Sequence, residues 1–177
     1  MKSASNNSKK TLNLVSFLSA LCLFLSLIEY IIPKPIPFMR MGFANFPILI
    51  GLYLLTPQMV FLLILIKVLG QALIQGTLLS YVFLFSFCGS FASGIAMVLL
   101  SIVFKKNISL LGLSVFGALA SNAMQILLAV YFVFGDSGWI IASPILIIGF
   151  ISSIILGLFA QTFFEKSIWI KKVLKAD

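Results

Sequence analysis

The segment QMVFLLILIKVLGQALIQ, Gln58 to Gln75, indicates what kind of fold this chain adopts. It is almost wholly apolar, and it is about as long as a bilayer-spanning helix, which needs roughly 17–25 residues. The segment therefore predicts a transmembrane helix. Its one charged residue, Lys67, would lie near mid-membrane, at a cost of at least about 2.5–3.5 kcal/mol, so its side chain should face protein or a water-filled cavity.

The composition of the whole chain agrees with a membrane protein. Of the 177 residues, 62% are hydrophobic and 9% are charged, whereas soluble domains carry about 25% charged residues. The net charge of +8 comes mainly from lysines in the N-terminal tail, at Lys105 and Lys106, and in the C-terminal tail. Basic clusters beside apolar segments are a topology signal and do not form a nucleic-acid groove, so we expect no nucleic-acid partner.

Six segments are predicted to cross the membrane, although the second is short. They are Leu12–Ile32, Met41–Leu55, Gln58–Gln75, Val82–Phe104, Ile108–Phe134 and Trp139–Phe164. The first is longer than the core of a signal peptide, and no A-x-A cleavage site follows it, so it is expected to be retained. The predicted fold is an all-α integral membrane protein with a six-helix domain over residues 12–164, a basic tail over 1–11 and a basic amphipathic tail over 165–177.

The positions of the lysines predict the topology. Six spans put both termini on one side, and placing that side inside gives most of the basic residues to cytoplasmic segments, so the prediction is N-in, C-in. The expected location is the bacterial cytoplasmic membrane, with several passes. The C-terminal sequence FFEKSIWIKKVLK predicts a helix along the lipid headgroups, anchored by Trp169, with a partner-docking helix as the alternative.

The third span carries the strongest polar feature. Lys67, Gln71 and Gln75 recur every four residues, which places them on one helical face. In one interpretation Lys67 meets an anionic or hydrogen-bonding ligand and the glutamines lead outward to the mouth of the site. In the other Lys67 forms a structural ion pair with Glu29. The two are compatible if a ligand competes for the lysine.

Two other spans have faces of small or polar residues. The fifth span combines Asn122 and Gln125 with a side of small residues, which suits either a cavity lining or close helix packing. In the first span, Ser16 and Ala20 form a small-xxx-small pair that would let a neighbouring helix approach closely. This second pattern is common in membrane helices and is therefore of low specificity.

The segment PKPIPFMRMGFANF, Pro33 to Phe46, is predicted to be a stiff outer connection because prolines fix the backbone and restrict their neighbours. It brings Arg40 to the membrane boundary and Asn45 just inside. Together with Lys67 and Glu29, Arg40 leaves a net positive charge, which favours a carboxylate or phosphate on the ligand. The alternative is an interfacial turn whose basic groups meet lipid phosphates.

The residues argue against enzymatic activity by this chain alone. There is no histidine, and Cys22 and Cys88 lie in apolar runs without metal-ligand spacing. The four acidic residues, Glu29, Asp136, Glu165 and Asp177, are nowhere adjacent, although magnesium-dependent diphosphate chemistry needs several carboxylates together. No ATP-binding phosphate loop is present. We therefore expect no catalytic residues, metal or cofactor.

The order of the motifs resembles the family named heptaprenyl diphosphate synthase component I, also called the Gx transporter family. The resemblance runs from about Glu29 to Tyr131 and is carried by three stretches: IEYIIPKPIPFMRMGFANFPILIGLYLL, LILIKVLGQALIQGTLLS and SLLGLSVFGALASNAMQILLAVYF. Glu29, the box Arg40–Asn45, Lys67, and Asn122 with Gln125 match the family's pattern. Ser121 departs from it, because the family commonly has histidine there, and this puts the substrate or the pH response in doubt.

That family is similar to the substrate-binding S components of energy-coupling-factor transporters, and the resemblance implies a function. It implies a subunit that binds a small anionic or amide-bearing molecule, such as a vitamin or precursor, from outside. A transmembrane coupling subunit and two ATPases would be its partners, with Ser16 and Ala20 at the coupling interface. The implied substrate-binding residues are Glu29, Arg40, Asn45, Lys67, Gln71, Asn122 and Gln125.

Two other functions stay open. The first is a membrane accessory subunit of isoprenoid or quinone biosynthesis, which would present a lipid substrate to a soluble synthase. The second is a lipid-binding or assembly protein without transport. The missing acidic cluster disfavours synthase chemistry in the chain itself, so transport is the preferred prediction.

Overall fold

The computed structural model describes residues 2–32, 42–104 and 107–175, and all regular structure within these ranges is helical. The helices are α1 (Lys2–Ile31), α2 (Phe46–Leu54), α3 (Pro57–Ile74), α4 (Tyr81–Phe104), α5 (Leu110–Leu128), α6 (Gly138–Lys166) and α7 (Ile168–Lys175). A 3₁₀ turn, Phe43–Asn45, precedes α2, and α5 continues as a π-helical segment, Ala129–Phe134.

Five helices in the described ranges are long and apolar enough to cross a membrane. They are Lys9–Ile31, Pro57–Ile74, Tyr81–Phe104, Leu110–Phe134 and Gly138–Lys166. This confirms the predicted all-helical fold with several apolar spans and fits a multi-pass membrane protein. The predicted count of six is not confirmed, because within its described residues the second segment forms a shorter helix, Phe43–Leu54.

The second segment is short for local reasons. Gly42 has a left-handed φ of 87° and begins the 3₁₀ turn, while Leu55 is extended and Pro57 starts the next helix. At 1.5 Å per residue the helical part rises about 18 Å, against a hydrocarbon core of about 30 Å. The helical part of this segment is therefore too short to cross a bilayer by itself.

Contacts between helices show how α1, α2 and α7 are arranged. Gly42 lies beside Glu29, near the end of α1, whereas Gly51 lies beside Leu18, so α2 runs antiparallel to α1. The aromatic rings of Phe17 in α1 and Trp169 in α7 are 5.4 Å apart. Both ends of the described chain therefore lie at one end of the bundle.

The two ends of the bundle differ in charge and polarity. We call the end that holds Phe17 and Trp169 the basic end, because Lys9, Lys10 and Lys171 are exposed there. We call the opposite end, where α1 reaches Glu29, the pocket end. Which end faces the cytoplasm stays a prediction.

The bundle is apolar outside and partly polar inside. Large apolar side chains such as Leu73, Tyr131 and Ile140 are 69%, 79% and 78% exposed, as expected for a surface that faces lipid. The buried polar and charged side chains are Ser19, Ser26, Glu29, Lys67, Gln71, Ser86, Ser90, Ser93, Ser114, Asn122, Gln125 and Ser153. Polar and charged groups inside a membrane bundle are costly, so these residues are candidates for a functional site.

Candidate ligand-binding pocket

A small polar pocket lies inside the bundle at the pocket end, and each of the five long helices contributes to its wall. The lining residues are Glu29 of α1, Lys67 and Gln71 of α3, Ser90 of α4, Ala118, Ser121 and Asn122 of α5, Gly149 of α6, and Gly42, Ala44 and Asn45 of the turn before α2. Because the wall is assembled from the whole bundle, a shift of one helix changes its shape.

Lys67 is the central charge of this pocket. Its side chain is only 3% exposed, and its Nζ donates a hydrogen bond of 2.6 Å to Oδ1 of Asn45. A short bond from an ammonium group is stronger than a bond between neutral groups. The lysine therefore faces the interior, as the cost of a charge in lipid predicts, and it holds the turn before α2 against α3.

Glu29 holds the same turn from the other side. Its Oε1 accepts a hydrogen bond of 3.3 Å from the amide of Gly42, and its Oε2 accepts one of 3.0 Å from the amide of Phe43. The turn is closed internally by the amide of Asn45, which donates to the carbonyl of Gly42 at 2.8 Å. The carboxylate of Glu29 thus anchors the backbone of the turn before α2.

We predict that Glu29→Ala loosens this turn. The variant leaves the amides of Gly42 and Phe43 without the carboxylate, and a buried donor left without a partner costs about 1–3 kcal/mol. Hydrogen exchange of those two amides should accelerate roughly 5- to 150-fold, while exchange in the middle of α4 stays unchanged. In Glu29→Gln, which keeps one acceptor oxygen, the exchange rate of these amides should lie between those of the wild type and Glu29→Ala. Equal exchange in all three proteins would contradict this role.

Asn122 joins α5 to α6 at the pocket wall. It is 4% exposed, and its Nδ2 donates to the carbonyl of Ile145 at 3.4 Å. The side chain fits because residue 149 has no Cβ: a Cβ at Gly149 would overlap Nδ2 of Asn122. The close approach of α5 and α6 at this level therefore depends on Gly149.

Gln125 lies one turn further along α5 and is not part of the pocket wall. It is 1% exposed, and its Nε2 donates to Oγ of Ser121 at 3.1 Å. Its Oε1 has no hydrogen-bond partner among the described residues. Ser121 lines the pocket, so Gln125 lies behind a wall residue and orients its hydroxyl.

The structure brings together five of the residues predicted to bind substrate: Glu29, Asn45, Lys67, Gln71 and Asn122. Arg40 lies outside the described residues. Ser16 and Ala20, predicted at a partner interface, are both exposed on the outer face of α1.

Other wall residues were not predicted to bind substrate. Gly42 and Gly149 contribute to the wall through their backbone and the space left by the missing side chain, which sequence patterns do not display. Ser90, Ala118 and Ser121 are small residues of α4 and α5, and close helix packing explains such residues equally well. Gln75, the last residue of the predicted polar face, is the C-cap of α3 and does not line the pocket.

The pocket is closed in this conformation. Its volume is about 30 Å³, which is room for about two water molecules, whereas pockets for small organic ligands measure about 300–1,000 Å³. A second cavity of about 20 Å³ lies deeper and shares Gly42, Asn45 and Ala118 with the first. Gly42, Asn45 and Ala118 therefore lie between the two cavities.

The deeper cavity also contains a polar group without a partner. Ser93 is 1% exposed and lines this cavity, and its Oγ has no hydrogen-bond partner among the described residues. Opening the turn before α2 would thus expose further hydrogen-bonding groups to whatever enters the joined space.

These features define a class: a helical membrane protein of several passes, with a closed polar pocket built around a buried lysine near one end. A model of the family described as heptaprenyl diphosphate synthase component I matches residues 18–163, and the chain belongs to this family. The match includes every residue of the pocket wall. Searches of the curated proteins and of the solved structures found no match.

Proposed function

We propose that this chain is the substrate-binding membrane subunit of an importer of the energy-coupling-factor type. Its substrate is a small molecule that carries an anionic or amide group, such as a vitamin or precursor. The observation that supports this most is the buried Lys67, held in a polar pocket inside the bundle. Buried ionisable groups in membrane helices are expensive and are associated with substrate and ion paths.

Binding in this proposal begins at the turn before α2. A carboxylate or phosphate competes with Oδ1 of Asn45 for Nζ of Lys67, because a charged acceptor bonds an ammonium more strongly than an amide oxygen does. Once Asn45 is displaced, the two cavities join and the amides of Gln71 and Asn122 become available to the ligand. Glu29 keeps the base of the turn attached, so that the turn closes again over the bound molecule.

The direction of transport follows from the charge distribution. With the basic end in the cytoplasm of a bacterial cell, as the positive-inside rule favours, the pocket end faces outward. Arg40 lies outside the described residues, and its predicted place at the outer boundary, where it would attract an anion, stays a prediction. Energy for release comes from a coupling subunit with ATPases, and the chain itself performs no chemistry.

We predict that the exposed face of α1 around Ser16 and Ala20 binds the coupling subunit. Leucine at both positions should abolish co-purification with a coupling complex and leave helix content and thermal unfolding unchanged, because both side chains are exposed. Ala123→Leu is the matched control, since Ala123 is exposed on α5. Retained co-purification of the Ser16→Leu, Ala20→Leu variant would place the interface elsewhere.

A second function is favoured by the family's name, which describes a component of heptaprenyl diphosphate synthase. In that case the chain is an accessory subunit that presents a lipid substrate to a soluble synthase. A polar, closed pocket around Lys67 suits a small polar ligand better than a prenyl chain. The name nonetheless supplies a definite partner that can be tested beside the transporter subunits.

Affinity purification of the full chain from its own host distinguishes the two. Recovery of ATPases and a transmembrane coupling subunit is the result that we expect. Recovery of a soluble prenyl synthase subunit without ATPases would support the accessory role, and recovery of neither would contradict the proposed transporter.

A further inference from the structure

A third cavity, different in kind from the two polar ones, lies at the basic end. It has a volume of about 260 Å³, and its lining is Phe17, Leu18 and Leu21 of α1, Ile50 of α2, Phe163 of α6 and Trp169 of α7. Every one of these side chains is apolar or aromatic. For comparison, a dry apolar cavity of about 150 Å³ accommodates a benzene ring, so this one has room for a longer segment of hydrocarbon.

The short helix α7 forms part of this cavity. Trp169 packs against Phe17 with ring centroids 5.4 Å apart, while Ile170 is fully buried in the main apolar core. Helix α2 packs against both α1 and α6, and its Ile50 lines the cavity between them. The cavity is therefore a groove between α1, α6 and α7, which we call the basal groove.

Positive charge surrounds the basal groove. Lys166 at the end of α6 and Lys171 of α7 are exposed near Trp169, and Lys10 precedes Phe17 by about 10 Å along α1. Glu165 is exposed at the same end, and its Oε1 accepts a hydrogen bond of 3.3 Å from Nε2 of Gln161. Lysines outnumber acidic residues among the described side chains beside the basal groove, so the rim of the groove favours an anion.

We propose that the basal groove binds one acyl chain of an anionic phospholipid, with the lipid phosphate against Lys166 and Lys171. The apolar lining suits a hydrocarbon chain, and the charge of the rim complements the headgroup. Trp169 lies where chain and headgroup meet, which is the preferred depth of tryptophan in a bilayer. The bound lipid fills the space between α7 and the bundle and so fixes α7 to the membrane surface. This site is separate from the pocket around Lys67.

Tryptophan fluorescence tests the proposal, because the chain has only two tryptophans, Trp139 and Trp169. In a Trp139→Phe protein the emission reports Trp169 alone. The protein is placed in phosphatidylcholine vesicles that contain increasing fractions of bromine-labelled phosphatidylglycerol or bromine-labelled phosphatidylcholine. We expect the anionic lipid to reach half-maximal quenching at a mole fraction about fivefold or more below that needed with bromine-labelled phosphatidylcholine. A roughly fivefold difference is the effect of one lysine near the surface.

Variants of the rim and the groove separate a specific site from ordinary lipid contact. Lys166→Gln with Lys171→Gln should remove the preference without changing the fold, since both side chains are exposed. Leu21→Phe narrows the groove and should weaken quenching, whereas Ile155→Phe, on an exposed face of α6, should not.

Equal quenching by the two lipids, or a preference that survives the double lysine variant, would overturn the proposal. No quenching by either lipid would mean that protein covers the groove, and would also overturn it.

Discussion

Replacing Lys67 by alanine is expected to weaken substrate binding roughly 10- to 150-fold, which is the effect of losing one charge-assisted hydrogen bond of about 1.5–3 kcal/mol. Among the described residues of the pocket wall, Lys67 is the one basic side chain, so none of the others replaces its charge. The measurement is a titration with the molecule that co-purifies with the wild-type protein. Gln75→Ala, which changes the end of the same helix outside the pocket, is the control and should bind normally.

The same variant should fold. Removing the lysine leaves Oδ1 of Asn45 without this donor, at a cost of about 1–3 kcal/mol, but it also removes a membrane-buried charge that costs at least about 2.5–3.5 kcal/mol. The two effects nearly offset, so the midpoint of thermal unfolding should stay within about 4 °C of wild type. If Lys67→Ala instead prevents folding and a further Glu29→Ala change restores it, the role of Lys67 is structural.

The second large effect is expected at Gly149. A Cβ there overlaps the amide of Asn122, so Gly149→Ala must push that side chain from the pocket wall or move α6 away from α5. Overpacking of this kind costs about 1–3 kcal/mol. The variant should unfold at a lower temperature and lose substrate binding, because the pocket wall changes shape.

A double variant isolates this contact. In an Asn122→Ala background the space beside residue 149 is open, and Gly149→Ala should then change stability by less than about 0.5 kcal/mol. Thermal unfolding of the four proteins of this cycle supplies the coupling energy. An equal loss of stability in both backgrounds would show that Gly149 serves some purpose other than the accommodation of Asn122.

The helices were predictable because length and apolarity determine which segments can cross a bilayer. The predicted spans 58–75 and 82–104 differ from α3 and α4 by one residue at most at each end. The second span was predicted over 41–55, and among the described residues it is helical over Phe43–Leu54, because composition does not reveal the left-handed Gly42 before it. Apolar residues outside a helix look the same in the sequence as those inside it.

Residues of the candidate site were predictable where placing the side chain in a membrane costs free energy. They were not predictable where the residue is only small. A lysine in a membrane helix must face protein, and its four-residue spacing places Gln71 beside it, so both were expected on one wall. The role of Gly149 depends on the amide of Asn122 across the helix interface, and no local pattern encodes that contact. Substrate binding by Gln125 stays a prediction; its Nε2 donates to Oγ of Ser121, one turn earlier on α5, and packing decides that contact.

A native mass spectrum of the gently purified protein tests the central claim most directly, because it shows whether the pocket around Lys67 carries a small molecule. The wild-type chain, expressed in its own host, should retain one small molecule per protein, and the Lys67→Ala chain should lack it. A wild-type protein without any bound molecule, or equal retention by both proteins, would contradict a substrate-binding role for this pocket.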